Sequence, residues 1–178
     1  MADYWVAWSN EDVSDRRERP LAEWMVLGLL AEQPAHGFAL ARLLAPGGEV
    51  GRVWAASRPL TYRAIEQLAA EGLIVPARRE PGKGPQRTVH EVTEAGTAAL
   101  AVWLRTPVPR FRDVRAILLA KLLLLERAGR SPRRLLTAQR RAFIPLLAEV
   151  RAVPVTDSVT RWRRAQADAI DRFLDDDR

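Results

Sequence analysis

A mainly α-helical fold with one small β-hairpin is what this sequence predicts, and three observations predict it. Apolar residues recur at helical spacing along most of the 178 residues. Two short extended stretches, Leu73 to Arg79 and Gln86 to Val92, flank the tight turn Pro81-Gly82-Lys83-Gly84-Pro85. Hydrophobic residues make up 48% of the chain and there is no cysteine, so a packed core must form without disulfides or thiolate-bound metal.

Residues 1–19 are polar with mixed charge and carry Tyr4, Trp5 and Trp8, which reads as an N-terminal arm. Pro20 suits the first turn of a helix running from Leu21 to Glu32. Trp24, Met25, Val26, Leu27, Leu29 and Leu30 spread round most of its circumference, which predicts burial on several sides. Gln33-Pro34 ends it. A second helix spans about His36 to Ala45, with Leu40, Leu43 and Leu44 inward and Pro46-Gly47-Gly48 as its stop. Ser57 is a good N-cap for a third helix ending near Glu71, with Gly72 at the C′ position. Leu60, Ala64, Ile65, Leu68 and Ala69 form its inward stripe, and Arg58, Thr61, Arg63, Glu66 and Gln67 the opposite face, with Tyr62 at the boundary.

After the hairpin, Thr93 caps a helix from Glu94 to about Leu104, and Pro107 and Pro109 mark a hinge. The remainder reads as all helical. Arg112 to Ala128 ends at Gly129, and Ser131-Pro132 opens a helix that Pro145 must bend or locally break. Asp157 or Ser158 caps a last helix with Val159, Trp162, Ala169, Ile170, Phe173 and Leu174 inside. The expected units are an arm at 1–19, a first domain at 20–106 and a helical domain at 110–178.

Helix, strand, Gly/Pro turn carrying lysine, strand is the order of a winged helix-turn-helix, a fold that sets one helix in a DNA groove with a hairpin beside it. A major groove is about 12 Å wide and admits one helix. A reading helix needs hydrogen-bonding residues near its start and cations for phosphate and guanine, which Ser57, Arg58, Thr61, Tyr62, Arg63 and Gln67 supply. Arg78, Arg79, Lys83 and Arg87 on the wing suit phosphate contacts, which add affinity without sequence information. The ordinary alternative is a solvated helix face and a solvated hairpin tip.

Charge gives weaker guidance. The chain carries net +6, yet residues 1–106 hold 12 basic and 13 acidic side chains, a net of −1, and residues 107–178 hold 16 and 9, a net of +7. With two histidines, neither a His-rich metal site nor a His-dependent catalytic set has material; His36 reads as a helix cap and His90 as a packed side chain. No phosphate loop or nucleophile–base pair is visible, so no enzyme, metal or cofactor is expected. The longest apolar run, Ala116 to Leu125, is broken by Lys121 and falls short of the ~20 residues that span a bilayer. Met1 to Asn10 has no signal-peptide character, and a cytoplasmic protein is expected.

Most of the six tryptophans read as core. Aromatic walls also stack flat ligands, so Trp5, Trp8, Trp54, Trp103 and Trp162 are candidates for binding a small effector. In the helical half, Leu118, Leu122 and Leu125 form one apolar row, and Leu119, Leu123 and Leu124 extend it to another side. Either the chain's own helices cover both rows or a second copy covers one. A two-fold dimer would match a palindromic operator. Its expected interface is Leu118, Leu122, Leu125, Trp162, Ile170, Phe173 and Leu174.

In order along the chain, Leu27-Gly28-Leu29-Leu30, His36-Gly37-Phe38-Ala39-Leu40, Tyr62-Arg63-Ala64-Ile65, Leu68 to Ile74 and Val92-Thr93-Glu94-Ala95-Gly96 resemble the PadR family of bacterial transcriptional regulators. The resemblance spans about residues 21–105, and Ala169-Ile170-Asp171-Arg172-Phe173-Leu174 is similar to the end of the family's dimerisation region. It implies a homodimeric winged-helix repressor of double-stranded DNA, sometimes relieved by a phenolic or other small aromatic effector. It also implies that Tyr62 and its neighbours meet DNA, that residues 78–87 form the wing and that the last helix clasps the partner. Two positions depart from the pattern: Pro59-Leu60-Thr61-Tyr62 stands where Gly-x-Leu-Tyr is usual, and Thr88, Val89 and His90 stand where the second wing strand is usually aromatic. The competing reading is a winged helix that binds protein and not DNA.

Overall fold

Helix α1, Leu21–Glu32, is the centre around which the chain is built. The computed structural model describes residues 19–81 and 86–175. Met25, Val26, Leu27, Leu29 and Leu30 are all buried, as the circumferential apolar pattern requires. A short strand β1, Ala35–His36, leads into α2, Gly37–Leu44, and a loop leads to α3, Arg58–Ala70. Strands β2, Ile74–Glu80, and β3, Arg87–Val92, form the hairpin, and α4, Glu94–Arg105, closes the first half. A 3-10 turn at Phe111–Asp113 and a π turn at Val114–Leu118 precede α5, Leu119–Arg127; α6, Arg133–Ala152, and α7, Ser158–Asp175, complete the chain.

The sheet is antiparallel in the order β1-β3-β2. Two-residue β1 was not foreseen, because a pair of residues carries no periodicity; it places Ala35 opposite His90 and His36 opposite Val89. The β2–β3 register shifts between Pro76 and Arg78. Proline lacks an N–H for the ladder, and a bulge on an edge strand accommodates that loss. Gly72 ends α3 at φ 69°, a left-handed conformation that costs glycine nothing.

The segment expected to be a hinge is pinned. Gln139 on α6 is fully buried; its Oε1 accepts from the Val108 N–H at 2.7 Å and its Nε2 donates to the Val108 carbonyl at 2.9 Å. Lys121 Nζ donates to the Thr106 carbonyl at 2.6 Å and lies 4.8 Å from the Trp103 ring centroid. Nearby, the Arg127 guanidinium grips the Glu32 carboxylate at 2.8 Å and Glu49 at 2.9 Å, joining the end of α5 to the end of α1. A Cβ at Gly28 would stand 2.5 Å from Leu124 Cδ1, so a larger residue there would require the Leu124 side chain to move.

The expected dimer face needs correction. Leu118, Leu122 and Leu125 are buried within the chain, as are Leu123 and Leu124, because the π turn and the leucine run of α5 pack into the chain's own core. Ile170 and Leu174 are likewise buried in the same chain, and Ala167 joins them as the inward row of α7. Trp162 and Phe173, expected inside, are 65% and 40% exposed. Val159 and Ala169 also lie outward. These four positions fall on one stripe of α7 beside its buried row. Helix α6 continues through Pro145 over its 20 residues; the carbonyl left without a helical donor belongs to Arg141, an exposed residue. The cap of α7 is Asp157, whose Oδ1 accepts from the Thr160 N–H at 2.8 Å.

Candidate nucleic-acid interface

Helix α3 starts where Ser57 Oγ accepts from the Leu60 N–H at 3.4 Å. Proline in the first turn is preset for the helix and gives up a donor that has no partner there. Ala64, Ile65 and Leu68 point into the core. Arg58, Pro59, Tyr62, Arg63, Glu66 and Gln67 form the exposed arc. Thr61 does not belong to it. It is fully buried and its Oγ1 donates to the Ser57 carbonyl at 3.1 Å, so it takes the inward place expected of Ala69, which is exposed. Sequence spacing left this open, because a threonine can satisfy its hydroxyl on its own helix and then pack like an apolar residue.

The arc is polarised along the helix. At the start, Arg58 stands at the first position and no carboxylate lies in the first turn. A cation on the positive end of a helix is unfavourable by roughly 0.3–1 kcal/mol, and an anion there is favoured. At the far end, the Gln67 amide donates to Glu71 Oε1 at 2.7 Å. Glu71 also pairs with Arg19, which bonds Glu23 at 2.7 Å and sits 5.3 Å from the Trp24 ring centroid. The Gln67 amide and the Arg19 guanidinium hold the Glu71 carboxyl below the usual carboxylate range. Gln67 is thus partly engaged, whereas Arg58 and Arg63 have no ion-pair partner among the described residues.

On the wing, Arg78, Arg79 and Arg87 are exposed. Arg78 is tied to Glu80, Nε to Oε1 at 3.0 Å. Lys83 lies outside the described residues. Arg87 leans toward α2: its guanidinium carbon is 5.0 Å from the Phe38 ring centroid, and that of Arg58 is also 5.0 Å from the same centroid. The start of α3 and the base of the wing therefore meet on one ring.

Phe38 was not among the expected site residues, and neither were its neighbours. His36 is the cap expected of it, its Nδ1 accepting from the Ala39 N–H at 3.0 Å. A Cβ on Gly37 would come within 2.8 Å of Tyr62 Cε1, so glycine there makes room for the Tyr62 ring. The signal was the His36-Gly37-Phe38 run itself, whose tie to α3 is invisible without the fold. His90 sits at the centre of the sheet with Nδ1 buried and meeting no hydrogen-bond partner among the described residues; burial pushes its pKa down.

The tryptophans expected at an effector site scatter. Trp103 stacks on Trp24 with centroids 5.0 Å apart and planes 10° from parallel. Trp54 packs half-buried beside the core, Trp162 stands out on α7, and Trp5 and Trp8 lie outside the described residues. An open cleft of 710 Å³ lies behind α2, lined by Gln33, Arg42, Leu43 and Glu49 among others and by no tryptophan.

A half-exposed basic helix with a wing turned to the same side defines a winged helix-turn-helix of the DNA-binding class. Residues 26–102 match the transcriptional regulator PadR-like family. Among solved structures, the chain is similar to Bacillus subtilis PadR in complex with operator DNA (18% identity, covering 88% of this chain and 97% of that one, TM-score 0.46). It is similar to the same regulator in complex with p-coumaric acid (18%, 89% and 95%, TM-score 0.42). It is also similar to the Vibrio cholerae virulence activator AphA (21%, 87% and 90%, TM-score 0.41). No curated protein matches the chain.

Proposed function

We propose that this PadR-like regulator is a homodimeric repressor that reads a palindromic operator through Arg58, Tyr62 and Arg63, with Ser57 and Gln67 at the two ends of the reading arc. Arg78, Arg79, Lys83 and Arg87 contact phosphates from the wing. The observation that carries this reading is the convergence of Arg58 and Arg87 on Phe38, which puts helix and wing on one side of the molecule. Residues 20–106 are the DNA-reading unit and residues 110–178 the dimerising one. The stripe of Val159, Trp162, Ala169 and Phe173 supports the second assignment, since it is apolar and exposed among the described residues. Repression works by competition with polymerase, and an effector acts by shifting the angle between the two reading helices. No helix of the described residues is long and apolar enough to cross a membrane, which suits a cytoplasmic regulator.

The test is fluorescence anisotropy against the DNA upstream of the protein's own reading frame and a scrambled duplex, at two salt concentrations. Tighter, salt-sensitive binding to the native DNA supports the reading. Salt-insensitive binding, or none to any duplex, sinks it and favours a protein-binding winged helix.

A further inference from the structure

We propose that Phe38 is a positioning residue for DNA binding, its ring fixing Arg58 of α3 and Arg87 of the wing in one relation before DNA arrives. The inference rests on the DNA-binding reading above and adds what sets its geometry.

Each guanidinium carbon lies 5.0 Å from the Phe38 centroid, within the range of a cation–π contact. The two cations are therefore no more than twice that distance apart, within a Debye length at ordinary salt. Neither has an ion-pair partner among the described residues. Something must hold two like charges this close, and His36 does not do so. Its Nδ1 accepts the Ala39 N–H, which leaves the proton of a neutral imidazole on Nε2. Nε2 then faces Arg87 Nη1 at 3.5 Å, donor against donor. The ring of Phe38 is the attractive surface that remains.

Its backbone is well placed for this task. Phe38 lies in the first turn of α2, one residue past Gly37, where the Tyr62 ring of α3 rests, and two past His36, which pairs with Val89 of β3. One residue is thus anchored to the wing sheet on one side and to the reading helix on the other. A phosphate backbone entering between the arginines would neutralise both, so the mutual repulsion stored on the ring is relieved on binding.

The test uses the full chain and a mixed-sequence duplex, because phosphate contacts do not depend on sequence. Affinities are measured for wild type, Phe38→Leu, Phe38→Tyr, the pair Arg58→Ala/Arg87→Ala, and that pair combined with Phe38→Leu. Two exposed cation–π contacts correspond to about 5- to 25-fold in affinity for Phe38→Leu. Phe38→Tyr keeps the ring face and should stay within about two-fold of wild type. Phe38→Leu should add nothing once both arginines are gone, a result that loss of folding would not produce. The inference is overturned if Phe38→Leu binds like wild type, or if it weakens the arginine-free variant as much as it weakens wild type. If removing both arginines leaves binding intact, or wild type binds no duplex, the DNA reading of these arginines fails and the inference with it. If the arginines matter and Phe38→Leu is silent, the inference alone fails.

Discussion

The two halves of the molecule carry different net charge, and both present exposed arginines beside arginines held in ion pairs. Residues 107–178 carry the surplus, net +7, yet Arg127, Arg140 and Arg151 there are tied to Glu32 and Glu49, to Asp175, and to Asp168 and Asp171. Arg164 is spent on carbonyls at the end of α6. Residues 1–106 are net −1, yet Arg58, Arg63, Arg79 and Arg87 stand exposed without an ion-pair partner among the described residues. Net charge reports a sum, whereas a phosphate backbone responds to which cations are free and where they point. The helical half is the better place to look for how the molecule holds together, and the acidic half for what it binds.

That contrast breaks most visibly at Leu118. Were it an interface residue, truncation would alter oligomeric state and leave the monomer sound. Because it is fully buried in its own chain, Leu118→Ala should cost about 2–5 kcal/mol of unfolding free energy, read by urea denaturation at fixed protein concentration. A loss below about 1 kcal/mol together with dissociation would return Leu118 to the interface.

Trp162 is the converse case. At 65% exposure it contributes little to its own subunit. Trp162→Glu should leave the unfolding midpoint of the monomer almost unchanged. It should weaken self-association by about 2 kcal/mol or more, the scale of a buried aromatic anchor. Sedimentation at a series of concentrations measures it, and an unaltered association constant would remove α7 from the dimer contact.

The same contrast explains what could be read from the sequence. The first half was legible because its signals are local: Ser57 and Thr93 as caps, Gly72 as a stop, and the Gly/Pro turn between two extended runs all fix structure within a few residues of themselves. The second half gave helices but not their partners. A row such as Leu118, Leu122 and Leu125 says that something covers it and not what, since burial within a chain and burial between chains look alike in composition. The same limit hid Phe38, whose contacts with Arg58 and Arg87 close over 20 and 49 positions of sequence. Thr61 failed for another reason: a hydroxyl that bonds its own helix reverses the polarity that the pattern assumes.

Arg63 sharpens the functional side. It is exposed in the reading arc, and Arg63→Ala should weaken binding to the native operator by about 1–3 kcal/mol while leaving scrambled DNA much less affected, if it meets a base edge. Equal losses on both duplexes would move it to the phosphates.

The smallest effect belongs to His90, and it separates the wing sheet from the rest of the fold. Burial holds its pKa below the ordinary 6.5, and its Nδ1 has no acceptor to welcome a proton. Above that value the imidazole is neutral in folded and unfolded chains alike, and the site has no influence on stability. As pH falls through it, the unfolded chain takes up a proton that the folded sheet resists, so the unfolded state gains. Wild type should therefore lose thermal stability between about pH 7.5 and about pH 5.5 more steeply than His90→Gln, which cannot titrate there. Comparing the two slopes subtracts every other titrating group. Parallel slopes would mean that His90 is hydrated in the folded sheet as it is in the unfolded chain.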